Sequence, residues 1–448
     1  MSTTDINSSS HEWKGIEKTI FRFFFIYFLL QALPLDSSYF EYIFNVNWLH
    51  INFGNIFNLT RFSPKFFAGP LTYLNWAVVA LIAVAGTLVW SIADKKSKDY
   101  NALYYWLRAI IRYRLAIGVI AYGFIKLFPL QAPLPSISNL NTHYGFFTRW
   151  KLFSLSLGIV PGYESFLGLI ELIAGLLLLN RKTTTFGAFI IIFFTGNVFM
   201  SNLGYEGGEY VYSLYLVSFA IFLFAYDAPR LYRLLALGLP TKPNSFKPAL
   251  SKSAGTTRII LKSTFIFFFV LLYGFKTYSG YQQGPYKYPQ AEGLAGASGL
   301  YNVSEFRINN KTIPYSLTDS TRWKDVVFEK WPTISIRSNR PVEVDLSNTE
   351  EIYASDKDCD YELEGLGDRL YYSYNIDSVK QNLQLQNKNK NYSGEQLVLH
   401  YSRPNKSQII LSGINENKDS IYVVLDKLNK KYLLEEAAHI GRRASLKL

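Results

Sequence analysis

Cysteine is nearly absent from this chain of 448 residues, with Cys359 its only example. One thiol rules out an internal disulfide framework and also the dithiol of a membrane disulfide exchanger. Histidine is scarce too: His11, His50, His143, His400 and His439 make up the whole set, and none lies inside a long apolar run. A transmembrane haem or copper centre needs imidazole or thiolate ligands within the helices. Neither is expected here, and no metal site is assigned. Charge is sparse at 18%, against 49% hydrophobic and 17% aromatic residues, which excludes a disordered tail. Acid is in short supply, leaving a net charge of +12. Such an excess is a nucleic-acid footprint only where it is spread over a surface. Up to Tyr278 there are 24 basic and 12 acidic residues, and after it 22 of each. All of the excess therefore sits in the apolar half, and no nucleic-acid partner is expected.

That half holds seven apolar runs, at 16–33, 73–92, 115–128, 165–179, 184–203, 211–226 and 259–275. Each approaches the roughly 20 residues that a helix needs to cross a bilayer core. Basic residues crowd alternate connections: Lys14, Lys18 and Arg22, then Lys95 to Arg114, then Arg181 and Lys182, then Arg230 to Arg258. By the positive-inside rule the amino terminus is cytoplasmic, and an odd number of spans puts the C-terminal part outside. The first run follows a basic flank but lacks a small-x-small cleavage site, so it is expected to be an uncleaved anchor.

The expected fold class is a membrane all-α bundle of about seven transmembrane helices followed by an extracytoplasmic all-β domain, an antiparallel barrel. Residues 1–15 are a cytoplasmic tail, and 16–110 hold two helices with a long aromatic outer loop. Residues 111–233 form a four-helix unit, 234–278 a cytoplasmic loop and the seventh helix, 279–299 a linker rich in Gly and Pro, and 300–448 the barrel. The loop at 36–70 carries Tyr39, Phe40, Tyr42, Phe44 and Trp48, rings suited to a headgroup layer. The connection at 129–161 contains four prolines and is expected to be a stiff, non-helical cap. Short alternating stretches at 302–308, 333–337, 342–346, 370–376, 382–386, 396–402, 408–412, 421–426 and 431–434 suit strands. Asn309-Asn310 and Pro404-Asn405-Lys406 are turn signals, and 386–394 is expected to be a solvated loop.

Chemistry is expected from polar residues inside the apolar runs, which are costly there. Gly168, Glu171 and Gly175 share one helix face, so the carboxylate points where a neighbouring helix approaches closely. Tyr122 and Asn197 fall near the same depth, as do Tyr215 and Ser218. Lys126 shares a face with Gly118 and Tyr122, and depth pairs it with Glu164 rather than Glu171. These residues fit an interhelical hydrogen bond with a rim salt bridge. They also fit a polar cleft in which Glu171 carries a proton while Tyr122, Lys126 and Asn197 orient a quinone-like headgroup. In the β part, Asp319, Arg322 and Trp323 read as a buried salt bridge closing the barrel, and His400 stands alone on its strand.

The order Tyr122-Gly123-Phe-Ile-Lys126, then Gly168-Leu-Ile-Glu171-Leu-Ile-Ala-Gly175, Arg181-Lys-Thr-Thr-Thr-Phe-Gly187 and Asn197 resembles the DoxX-like family of bacterial membrane proteins, over about 112–233. The family's glycine-x-x-lysine falls on Gly123 and Lys126, and its glutamate and glycine on Glu171 and Gly175. The resemblance implies a bacterial inner-membrane location and an association with quinone-linked redox chemistry beside a partner oxidoreductase. Two spans before the unit, one after it and a lipocalin-like β domain are additions to the minimal form. The expected role is an accessory or quinone-interacting subunit of an envelope redox complex, with quinone its one candidate cofactor. The leading alternative is a non-enzymatic envelope protein that binds a lipid or small ligand, or a partner protein, in its β domain; another is a membrane enzyme coupling a helical bundle to an external β domain, like the vitamin-K-dependent carboxylase group.

Overall fold

The structure, a computed structural model, describes residues 13–242, 246–249, 251–284, 286–347, 352 and 356–440. The tail up to residue 12, with His11, lies outside the described residues. Fourteen α-helices are present among those described. They are α1 (Gly15–Ala32), α2 (Ser37–Asn45), α3 (Phe53–Thr60), α4 (Tyr73–Ala93), α5 (Asn101–Leu127), α6 (Ile137–Leu140), α7 (Arg149–Gly158), α8 (Pro161–Leu178), α9 (Thr184–Gly204), α10 (Tyr210–Ala225), α11 (Ala228–Leu235), α12 (Lys252–Ile266), α13 (Tyr273–Gln282) and α14 (Leu433–Ile440). The chain divides into two compact units. The first takes the described residues up to Phe128, Phe166–Leu203 and Glu209–Gly280, and the second takes Pro129–Ser165, Gly204–Gly208 and Tyr281–Leu448.

Among the described residues, five stretches are long and apolar enough to cross a membrane: Gly15–Asn45, Tyr73–Ala93, Pro161–Leu178, Thr184–Gly204 and Lys252–Gln282. A sixth is added if α10 and α11, bent by 63°, count as one span. The remaining expected run, 115–128, lies in α5, which has 27 residues but interrupts its apolar sequence with Arg108, Arg112, Arg114 and Lys126. The aromatic loop is not a plain coil. Asp36 caps α2 by accepting from Ser38 N, and Asn52 with Asn55 forms a reciprocal capping box at α3. Arg22, expected as a basic flank, is buried instead. It donates to Tyr100 Oη at 2.9 Å, Ser91 Oγ at 2.9 Å and the Asp94 carbonyl at 2.8 Å, tying α1 to the end of α4 and the start of α5.

The second unit contains a closed eight-stranded antiparallel barrel, β1 (Gly299–Ile308), β3 (Asp325–Phe328), β4 (Thr333–Arg337), β5 (Arg369–Asp377), β6 (Asn382–Asn387), β7 (Gln396–Asn405), β8 (Gln408–Asn415) and β9 (Ser420–Lys427), with the two-residue β2 (Lys311–Thr312) beside β1. Pairing of β1 with β9, from Tyr301 opposite Lys427 to Ile308 opposite Ile421, closes the ring. Asn309 and Asn310 have φ of 49° and 60°, the left-handed pair that a tight hairpin turn requires. A bulge between Val303 and Glu305 shifts the alternation by one residue, so Tyr301 and Val303 point inward before it and Phe306 and Ile308 after it. The interior is filled by Tyr301, Phe306, Phe328, Tyr372, Leu385 and Leu411 with their neighbours. Eight strands enclose a space that side chains alone can fill.

Several sequence expectations are corrected here. Residues 342–346 join no ladder; they form a loop in which the Asp345 carbonyl accepts from Gly365 N. Residues 431–434 are not a strand, because α14 begins at Leu433. Strand β3 was not expected: Asp325, Val326, Val327 and Phe328 are all buried, so no polar face marks it. The 129–161 connection is partly helical, since no proline falls between Pro135 and Pro161 and Thr148 caps α7 by accepting from Lys151 N. The loop at 386–394 is not simply solvated: Asn387 and Asn389 are buried, and Asn389 donates to the Glu343 carbonyl. Nor is 279–299 a loose linker, because α13 runs to Gln282 and Leu294 and Ala297 join the barrel core.

Candidate functional site

The site in the first unit begins with glycine. A Cβ on Gly168 would stand 2.2 Å from Leu127 N, and one on Gly123 would stand 2.8 Å from Leu172 N. Absent side chains at these points let the backbones of α5 and α8 touch, as small residues do between apolar helices. Lys126, in the last turn of α5, thereby meets Glu171 on α8, with Nζ 2.7 Å from Oε1 and both residues less than a tenth exposed. Lys126 therefore pairs with Glu171 and not, as depth along the helices suggests, with Glu164. Glu164 accepts from Gln131 N and Ala132 N instead, an anchor for the chain leaving Pro129.

Tyr122 lies one turn before Lys126, whose Nζ is 5.7 Å from its ring centre. Its hydroxyl donates to Glu209 Oε2 at 3.3 Å, and Glu209 Oε1 takes a 2.5 Å ion pair from Arg61. Two ion pairs thus stand on either side of one tyrosine. Beside them is a cavity of about 30 Å³, lined in part by Tyr122, Lys126, Glu171, Thr195, Glu209 and Ser213. That volume suits one water molecule. Glu171 Oε2 is buried with no hydrogen-bond partner among the described residues. An ionised carboxylate in that position has acceptor capacity to spare, so the geometry suits a proton or a water at Oε2.

Asn197 does not join this group. It lies on the exposed side of α9, and Thr195 lines the cavity in its place. Tyr215 is also engaged elsewhere, donating to the Gln31 carbonyl at 2.7 Å, while Ser218 donates back to the Tyr215 carbonyl. Glu209 and Arg61 were missed as site residues. Their one signal in the sequence was position: Glu209 directly precedes the sixth apolar run, and Arg61 is a rare cation of the aromatic loop.

No family model, curated protein or solved structure matches this chain. The site is therefore read from its own chemistry. Among the described residues, no group of three His, Cys, Asp or Glu side chains is placed to hold a metal ion.

The second unit has its own buried charges. Lys151 is 1% exposed, and its Nζ donates to the Tyr361 carbonyl and lies 3.5 Å from that residue's ring centre. Burial pulls its pKa down to about 8, against the opposing pull of Glu364 and Glu362. Glu329 accepts from Ser138 N at 2.7 Å, Ser138 Oγ at 2.6 Å and Ile137 N at 3.1 Å, and burial still pushes its pKa up. Asp319 and Arg322 form no barrel-closing pair: Asp319 accepts from Thr321 N and Arg322 N, and Arg322 donates to the Val303 carbonyl. The ion pairs at this part of the sheet are those of Asp325 with the half-buried Arg337 and the fully buried Arg369. Trp323 packs in the core, and His400 is exposed, within 3.2 Å of the Lys380 carbonyl.

Proposed function

We propose that the chain is a multi-pass membrane protein of DoxX-like type in which Glu171 is a proton-exchange group. In this reading it is the accessory, quinone-interacting subunit of an envelope redox complex in a bacterial inner membrane. Its amino end is cytoplasmic and its barrel extracytoplasmic, as the distribution of basic residues supports. The observation that carries the proposal is the unpartnered Oε2 of Glu171, in a residue whose other oxygen is neutralised by Lys126 and which lines a water-sized cavity. Lys126 holds the carboxylate in place and lowers the cost of its charge in an apolar bundle. A cavity of about 30 Å³ admits water and not a six-membered ring. A quinone headgroup would therefore have to lie outside it, and Glu171 would take up or release its proton through a water at Oε2. Electron transfer belongs to the partner oxidoreductase. A ligand inside the barrel is not proposed, because aromatic and leucine side chains fill that space.

Infrared difference spectra of the purified full chain, with a short-chain quinone in its oxidised and then reduced form, test this. A carboxyl band that changes with the quinone's redox form and vanishes in Glu171→Gln is expected. The same band in Glu171→Gln, or no change with either form, would sink the proposal, provided the variant is folded at the temperature of the measurement.

A further inference from the structure

A larger cavity in the first unit, of about 510 Å³, is shaped by α5, the α8–α9 turn, α10, α11 and residues 246–247. Its size falls in the range of about 300–1,000 Å³ typical of small-molecule sites. Arg108, Arg112, Arg181, Lys182, Arg230 and Lys247 line it, against one carboxylate, Asp227. That carboxylate is already engaged, accepting from Thr185 Oγ1 at 2.5 Å and lying 4.0 Å from Arg230. Basic residues are expected at one end of a bundle with this sequence, so their number alone says little. Two further features set the cavity apart. The cations converge from four separate segments, and the Nε atoms of Arg108, Arg112 and Arg230 are buried without a hydrogen-bond partner among the described residues. Buried donors of this kind ordinarily find an acceptor. The Arg108 guanidinium carbon also lies over the Tyr226 ring, 3.3 Å from its centre, and the first turn of α9 brings Thr184 and Thr185 to the same cavity.

We propose that this cavity binds a phosphate-bearing anion, with Arg108, Arg112 and Arg230 donating to its oxygens and Arg181 and Lys182 holding it at the rim. Phosphate suits the site because its several acceptor oxygens match forked guanidinium donors arriving from different directions. The phosphate belongs either to an anionic phospholipid headgroup or to a soluble phosphate ester, and the same side chains serve both.

The test uses the full chain in a neutral detergent. Native mass spectrometry compares retention of phosphatidylglycerol with that of phosphatidylcholine carrying the same acyl chains. Thermal unfolding is followed in inorganic phosphate and in pyrophosphate against chloride at equal ionic strength. Preferential retention of phosphatidylglycerol alone assigns the site to a lipid; a rise in melting temperature with phosphate or pyrophosphate, in competition with the lipid, assigns it to a soluble ester. Arg108→Gln/Arg112→Gln should weaken the effect at least about tenfold, the change expected from losing one charge-assisted contact or more. Arg181→Gln/Lys182→Gln changes two exposed side chains in a turn, should weaken binding similarly, and decides alone if the first variant does not fold. Equal retention of the two lipids with no phosphate effect, or wild-type behaviour in the variants that fold, overturns the proposal.

Discussion

At the residue scale, Lys126 and Glu171 illustrate how a buried ion pair is best judged by removing one partner and then both. Glu171→Gln leaves an ammonium less than a tenth exposed, and Lys126→Met strands a carboxylate. Each single change should cost about 3–5 kcal/mol, the usual penalty for an uncompensated buried charge. The double variant should recover most of that loss, because no charge is left unpaired. Denaturant or thermal unfolding in detergent reads the cycle, and additive single and double effects would mean that the two side chains do not act as a pair. Lys151 makes a different prediction, about pH. Its pKa falls from 10.5 to about 8 in the folded chain, mainly through burial. Between those values the unfolded chain holds a proton that the folded chain has released, so stability should rise with pH across that window. Below about pH 8 the lysine is protonated in both states and contributes no slope. The difference in unfolding free energy between wild type and Lys151→Met should therefore grow from pH 8 to 10.5, and a flat difference would rule out the buried setting.

At the element scale, the crossing of α5 and α8 depends on what its glycines omit. Gly168→Ala places a methyl group 2.2 Å from Leu127 N and 2.6 Å from the Gly123 carbonyl. Both obstacles are backbone atoms, so the helices must separate. A loss of about 1–3 kcal/mol is expected, the usual cost of overpacking, and it should come with weaker coupling between Lys126 and Glu171 in the mutant cycle. Full coupling in Gly168→Ala would show that the close contact does not set the pair. This face was legible in the sequence, because Gly168, Glu171 and Gly175 recur at helical spacing. The identity of the partner was not. Counting depth along straight rods matched Lys126 with Glu164, whereas a lysine's long stem reaches deeper where two backbones touch. Strands β4 to β9 were legible for the related reason that one face alternates with the other. Strand β3 was hidden because both of its faces are covered, and Asn197 was misplaced because depth alone does not tell which side of a helix a residue occupies.

At the scale of the whole molecule, chain order and compact units disagree. Sequence placed the β domain at 300–448 as a separable piece, yet its compact unit also includes Pro129–Ser165. That segment covers the outer face of the barrel where β3 and β4 lie. Ser138 Oγ is 2.7 Å from Ser335 Oγ, Asn139 donates to the Glu362 carbonyl, and Phe147 packs on Leu363, Leu366 and Tyr371. Tyr288 stacks on Trp331 and donates to the Leu134 carbonyl. A barrel excised as 286–440 would lose these contacts together and would bare Leu363, Leu366 and Tyr371 to water. It should therefore melt well below the same unit in the full chain and bind an apolar dye, and a separate peptide covering 129–165 should reverse both changes. An excised barrel that is monomeric, dye-free and as stable as in the full chain would show that the cap merely rests on it. The physical ground for expecting the opposite is the buried polar layer formed by β4 and the turn that holds Glu362: Thr333, Ser335 and Glu362 are all 0% exposed, and side chains of that kind stay buried where hydrogen bonds are made for them. Ser138 and Asn139 supply part of that set from a segment about 190 residues upstream of β3, a distance along the chain at which no local pattern in the strands announces the partner.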